Sequence, residues 1–235
     1  MEGKVGVAPG TTTIQVNGLT FAFGNWIDDK YYGSGQFANA QTDALEVFVV
    51  ERGGTIPGGT RRTNKHDTNL PRSGSVGLPQ DWEMYVFGLS ISITRVMRAN
   101  NSGAVVFADG TGALSNPPTL ATWFAFDRVT YFKYQYNQTM WTEGVPQNYP
   151  QGHGYGVFST NTGFELSQNG IASPRDRVAW VLPIWERMGL GYVATFQPEA
   201  AIVISQPASD EGTALTFIDV KVEKNGLIKK NVVGA

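Results

Sequence analysis

The stretch Thr13-Ile14-Gln15-Val16-Asn17-Gly18-Leu19-Thr20-Phe21 has the sequence of a β-hairpin. Both flanks are rich in β-branched and apolar residues. Asn-Gly supplies the two positive φ angles that a type I′ turn requires. The same dipeptide returns as Asn225-Gly226, between Phe217–Lys224 and Leu227–Lys230. Asp109-Gly110 follows the short apolar run Ala104–Ala108. Three independent hairpin signals predict an all-β chain.

Alternation supports this class. In Leu89-Ser90-Ile91-Ser92-Ile93-Thr94 aliphatic and hydroxyl residues take turns, so one row faces a core and the other faces away. In Ile218-Asp219-Val220-Lys221-Val222-Glu223 the outward row is charged. Seven aromatics fall between Thr122 and Tyr136, and aromatics suit a pleated, half-buried surface. Met84–Phe87, Arg177–Leu182, Tyr192–Phe196 and Ala201–Ser205 are further strands. Thr42–Arg52 fits a helix face or a buried strand equally. Gly53–Gly77 and Thr139–Gly156 are expected as long polar loops, a length usually tied to function or subunit contact. Asp109–Thr119 has the composition of a linker and lies near the midpoint. The motif Pro79-Gln80-Asp81 resembles Pro174-Arg175-Asp176, but so short a match is as well explained by chance as by duplication.

Composition excludes several function classes. Of 235 residues 41% are hydrophobic and only 16% charged, which rules out a disordered chain. Net charge is −2, from 18 basic and 20 acidic residues, so there is no charge reservoir for coating nucleic acid. With no cysteine there is no disulfide, thiolate or zinc–sulfur site. With two histidines, a three-histidine metal centre within one chain is impossible. The start Met1-Glu2-Gly3-Lys4 lacks a signal-peptide pattern. The densest apolar run, Val178–Trp185, is far shorter than the ~20 residues of a membrane helix. The expectation is a soluble protein held in the producing cell until assembly or lysis.

Candidate chemistry is sparse. His66-Asp67 is a possible triad fragment, but it sits in a polar loop and no G-x-S-x-G elbow presents a serine. His153 is flanked by glycines. Asp28-Asp29 are adjacent, so on a strand they point to opposite faces and do not clamp one bond. Glu83, Glu165 and Glu186 are further carboxylates, and no spacing pairs them. Arg61-Arg62 with Lys65, and Lys229-Lys230, are the basic clusters, expected as solvated patches. No phosphate loop or calcium loop is present. The reading therefore names no catalytic residue, no cofactor and no metal.

The run Asp67-Thr68-Asn69-Leu70-Pro71-Arg72-Ser73-Gly74, then Gly77-Leu78-Pro79 and the strand Trp82–Ile93, resembles the start of a viral jelly roll. Ala172-Ser173-Pro174-Arg175-Asp176, the strand Arg177–Ile184, the turn Glu186–Gly189 and the strands Tyr192–Phe196 and Ala214–Glu223 resemble its end. Together they look like the major capsid proteins of tailless icosahedral bacteriophages with an internal membrane. The resemblance implies jelly-roll barrels. Two tandem barrels, 1–115 with an N-terminal arm and 116–235 with a C-terminal arm, are expected from the midpoint linker. A single jelly roll with large loop insertions is the alternative. It further implies a homotrimer tiling an icosahedral shell, with neighbouring capsomers, minor capsid or vertex proteins and an internal membrane vesicle as partners. It implies no sequence-specific nucleic-acid binding and no enzyme activity, with assembly into the virion after synthesis in the host cytoplasm. Two other readings of the residues stand beside it. One is a carbohydrate-binding β-sandwich, lectin-like or from a tail fibre. The other is a hydrolase using the glutamates.

Overall fold

The computed structural model describes residues 13–16, 18–22, 26–99, 105–107, 126–149, 156–159, 165–168, 178–202 and 216–230. Their regular structure is almost entirely β. The chain opens with the hairpin β1 (Thr13–Val16) and β2 (Leu19–Ala22), paired Val16 to Leu19, with Gly18 at φ 81°. Then follow β3 (Trp26–Ala38), β4 (Leu45–Val47), β5 (Trp82–Ala99) and β6 (Val105–Phe107). A helical turn at 126–129 leads into β7 (Thr130–Tyr136) and β8 (Thr139–Gly144). The hairpin β9 (Gly156–Ser159) and β10 (Glu165–Gln168) precedes β11 (Val178–Arg187), β12 (Tyr192–Pro198) and β13 (Thr216–Lys230).

Two antiparallel sheets pack face to face. One has the order β11-β5-β13-β3, with β6 also on β5; the other has the order β4-β12-β7-β8. Strands from both sides of 115/116 interleave in each sheet. β13 lies between β3 and β5, and β12 lies between β4 and β7. The sheets are thus not divided where the linker composition suggested, because the pairing partners are distant in sequence.

The alternation works as expected on β7, whose buried residues Phe132, Tyr134 and Tyr136 point inward. Phe37, Phe126, Phe132 and Phe196 form an edge-to-face and tilted ring network, closed by Tyr149 against Phe132. Such pairs add about 0.5–1.5 kcal/mol each beyond the area they bury.

Four expectations change. Asn225-Gly226 is not a turn. β13 runs straight through it, pairing Asn225 to Lys30 and Gly226 to Asp29 on β3. Against β5 the register shifts there, from Asn225 opposite Gly88 to Gly226 opposite Val86. Phe87 is the extra residue of a β-bulge. The bulge explains why the buried row on β5 is Met84 and Val86 before it, and Leu89 and Ile91 after it. Met84–Phe87 and Leu89–Thr94 are consequently one strand.

Second, Thr139–Gly156 is not all loop. Asn137 and Gln138, at φ 47° and 63°, make a two-residue turn without glycine and launch β8. Third, Thr42–Arg52 contributes only the short β4 and is otherwise irregular. Fourth, the charged row of β13 is not solvated, since Asp219 and Glu223 are buried. Gly53–Gly77 is irregular as expected, apart from a 3-10 turn at Gly74–Val76. All of Asp109–Thr119, and residues 203–205 of the expected strand Ala201–Ser205, lie outside the described residues, and Ala201 and Ile202 are not in a strand.

A Cβ at Gly226 would collide with the Tyr85 carbonyl oxygen, whereas one at Gly18 would meet open space. Gly226→Ala is therefore expected to cost about 2 kcal/mol or more in chemical denaturation, through overpacking. Gly18→Ala should cost only about 1 kcal/mol, from its left-handed φ. Equal effects would mean that the bulge is not constrained.

Candidate functional site

The inward row of β13 reads Ile218, Val220, Val222 and then Lys224. On β11 the residue two beyond Ile184 is Glu186. Both strands flank β5 in one sheet, and across its inner face the two charges meet, with Lys224 Nζ 2.5 Å from Glu186 Oε2 and both side chains fully buried. The Tyr134 hydroxyl donates to Glu186 Oε1. The ammonium lies 3.1 Å from the centre of the Tyr192 ring, with Phe48 and Tyr31 at 5.5 and 5.8 Å. Burial pushes Lys224 down from 10.5 to about 8, with the Glu186 charge opposing it. Burial also raises Tyr134 and Tyr192 well above the usual phenol range.

A depressed lysine beside a carboxylate is a common catalytic arrangement. Here the groups have no solvent-accessible surface, and neither lines the two clefts described below. Their geometry supports a structural role. Glu186, one of the three glutamates singled out by sequence, is thus a core residue. Glu83 sits on the outer face, accepting from Trp185 Nε1 at 3.3 Å, with Lys229 at 3.9 Å. Glu165 belongs to β10, outside any description of side chains.

The second polar cluster is a clasp. Arg61 makes a fork to Asp67, at 2.6 and 2.7 Å, and reaches Asp219 on β13 at 3.4 Å. Asp67 also accepts from the Asn64 amide. The loop is therefore not a plain solvated one, since Asp67 is buried and Arg61 is mostly covered. His66 and Lys65 remain exposed, and Arg62 donates to the Gly53 carbonyl. His153 lies outside the described residues. Asp29 pairs with Lys230, while its neighbour Asp28 is exposed, consistent with opposite faces.

The clasped loop also closes one edge of the sandwich. Pro57 O accepts from Gln36 N. Asn69 accepts from Tyr32 N, donates its own amide N–H to Tyr32 O, and donates its side-chain N–H to Lys30 O. These bonds occupy the backbone along the free side of β3, which would otherwise invite strand addition.

The opposite edge differs. It is formed by β11 in one sheet and β8 in the other. Arg187 N donates to Tyr136 Oη, which sets the end of β11 above the β7–β8 turn. Met140, Trp141, Leu182, Trp185 and Met188 are exposed here, Leu182 by 79%. Among the described residues only Ile27 and Val76 are further large apolar side chains with comparable exposure. The unpaired stretch between Ala179 and Ile184 lets β11 bulge away from β5 and projects Leu182. On the outer face Phe21, Trp26 and Tyr85 cluster, Tyr85 stacks on Trp185, and the Arg187 guanidinium lies 3.4 Å over the Trp185 ring.

Two open clefts lie beside β4. One, of about 420 Å³, is lined by Glu46, Ser75, Gln135, Asn137, Gln138 and Tyr192 among others. The other, of about 620 Å³, lies between β4 and the 57–58 turn. Among the described residues no cluster of three or more His, Asp or Glu could hold a metal. Nor is any helix among them long and apolar enough to cross a membrane.

Sequence reasoning missed Lys224, Tyr134 and the edge asymmetry. The only available signal for Lys224 was its place in the inward row of an alternating strand.

Two measurements test the buried cluster. Lys224→Met strands the Glu186 charge and should cost about 3–5 kcal/mol, while Lys224→Met with Glu186→Leu and Tyr134→Phe should recover most of the loss. Stability should also vary with pH in a defined way. Between about pH 8 and 10.5 the unfolded lysine holds a proton that the folded one has released, so stability rises with pH. Above about pH 10 unfolded tyrosines ionise while Tyr134 and Tyr192 stay protonated, so stability falls. A thermal-melt series should therefore peak near pH 10 in the wild type, and the triple variant should lack the rise. Compared with known protein families, with curated proteins and with solved structures, the chain matches none.

Proposed function

We propose that the chain is a structural shell protein, a major capsid subunit of the internal-membrane bacteriophage kind, built on a single jelly roll with large loop insertions. The support for the fold is its winding. Setting aside β6 and the two small hairpins, eight strands pair as first with last, second with seventh, third with sixth and fourth with fifth. These pairs are β3 with β13, β4 with β12, β5 with β11 and β7 with β8. A long hairpin rolled in this way gives the two four-stranded sheets of a jelly roll, an architecture shared by viral capsid and lectin domains. Interleaving of both chain halves favours one barrel over two in tandem.

The observation that carries the assembly role is the contrast between the two edges. One is sealed by the chain's own loop. The other presents exposed Met, Trp and Leu side chains on strands that have one neighbour each among the described residues, as an interaction surface does. The 420 Å³ cleft, which sets Gln135, Asn137 and Gln138 beside Tyr192, favours a second reading, a glycan-binding sandwich. That reading predicts saturable binding on a glycan panel, abolished by Gln135→Ala with Asn137→Ala.

Light scattering after size exclusion at two protein concentrations tests the shell reading. A trimer near 76.5 kDa, three times the 25.5 kDa chain, or larger particles visible by electron microscopy, is expected. A monomer at every concentration, together with glycan binding, would replace it with the second reading.

A further inference from the structure

We infer that Lys224 and Glu186 condense within the folded chain to a side-chain amide, an isopeptide crosslink between β13 and β11. The crosslink does not rest on the shell reading. Lys224 Nζ is 2.5 Å from Glu186 Oε2. A carboxyl C–O bond is about 1.2 Å long, so Nζ lies within about 3.7 Å of Cδ, close to the roughly 3–3.5 Å of a near-attack pair. The other oxygen, Oε1, accepts from the hydroxyl of Tyr134, which is itself buried. The carboxyl group is thus held between a nucleophile on one oxygen and a hydrogen-bond donor on the other.

Burial makes the two groups reactive. An ammonium has no free electron pair and a carboxylate resists attack, and in water both stay charged. Here neither side chain has accessible surface, and desolvation favours the neutral form of each. One proton passing from Nζ to Oε2 turns the ion pair into an amine and an acid with no change in net charge. The burial that pushes Lys224 down to about 8 acts in the same direction. Rings of Tyr192, Phe48 and Tyr31, at 3.1, 5.5 and 5.8 Å from Nζ, surround the amine with apolar surface.

The step balances within the pair. Nζ attacks Cδ and a C–N bond forms. Charge that gathers on Oε1 is met by the Tyr134 hydroxyl, as in an oxyanion hole. The Cδ–Oε2 bond then breaks and Oε2 leaves as water. Of the ammonium's protons, one stays on the amide nitrogen and the others leave with Oε2. No oxidant, reductant or other co-reactant takes part. Desolvation makes a buried ion pair costly, and the neutral amide removes that cost. Its carbonyl oxygen keeps the Tyr134 bond, and its nitrogen stays beside the Tyr192 ring, a weak acceptor.

β11 and β13 lie on opposite sides of β5. The bond therefore spans β5 across the inner face and closes a separation of 38 residues. It holds β13 covalently as well as through its ladders, so force on the C-terminal end cannot draw that strand out of the sheet without breaking an amide. The rise of stability with pH described above belongs to the unlinked chain and fades as the bond forms, because the linked groups no longer titrate.

Intact-mass spectrometry of the wild type, held folded overnight and then denatured, tests the crosslink. The expected mass is about 18 Da below that of the sequence, the loss of one water. Trypsin should then leave Lys224 uncut and release Val178–Arg187 joined to the peptide that starts at Val222. Lys224→Arg keeps the charge without the amine and should show its full mass. Tyr134→Phe keeps both reactants and removes the donor to Oε1, so it should link at least about tenfold more slowly. Thermal melts check that both variants fold, and an undiminished rate would remove Tyr134 from the step. A wild type of full sequence mass, cut by trypsin at Lys224, means an ion pair only and overturns the crosslink. Water lost elsewhere, with Lys224 still cut, overturns it equally. Neither result touches the shell reading, which is decided by light scattering.

Discussion

The sandwich depends on the pairing of its last strand. β13 is hydrogen-bonded along nearly its whole length to β3 on one side and β5 on the other. It also delivers Ile218, Val220, Val222 and Ile228 to the core. β13 thus completes the sheet that β3 opens, and β12 likewise lies between β4 and β7. Most of the pairing joins residues far apart in sequence. Such a topology closes its loops late and folds slowly. Each sheet also draws strands from both sides of the midpoint linker.

The outer face of that sheet is managed by the 53–77 loop. Asp219 faces away from the core, yet it is buried because Arg61 and Gln36 meet it there. Arg61 is held in turn by Asp67, so a single cation joins loop to strand. With the loop fixed, Asn69 and Pro57 are in place to satisfy the backbone of β3. One ion cluster therefore determines which edge of the sandwich stays open. The contrast between the closed β3 side and the apolar β8/β11 side follows from it.

What the sequence disclosed was local. Asn17-Gly18 was legible because a two-residue turn needs only its own φ angles and its immediate flanks. Asn225-Gly226 has the same letters and a different use, because the partner that bulges there, Phe87, is more than a hundred residues away. The alternation of β5 was read as two strands for the same reason, since a bulge reverses the buried parity between Val86 and Leu89. The Asn137-Gln138 turn carries no glycine, so β8 looked like loop. The linker at Asp109–Thr119 signalled a boundary by composition, but strand partners, not composition, decide where a sheet divides. Of the candidate carboxylates, nothing distinguished Glu186 from Glu83, because burial is set by the bulge of β11 and the lysine that faces it.

That buried pair bears on register as well as on energy. Sliding β13 by one residue turns every side chain to the other face, and hydrophobic alternation alone forbids it. A slide by two residues keeps the apolar row inward and is not forbidden by pattern, since Val220, Val222 and Ile218 are nearly interchangeable. It would, however, place Val222 or Gly226 opposite Glu186 and leave a carboxylate buried with only the Tyr134 hydroxyl. An unpaired buried charge costs several kcal/mol, more than the difference between one aliphatic residue and another in the same row. Replacing the pair with apolar residues would keep the burial and lose this discrimination. Lys224 and Glu186 are thus the residues that select one register from those the hydrophobic pattern permits. Across the layers, Glu186 accepts from the Tyr134 hydroxyl and Arg187 N donates to Tyr136 Oη, and these two bonds tie β11 to β7.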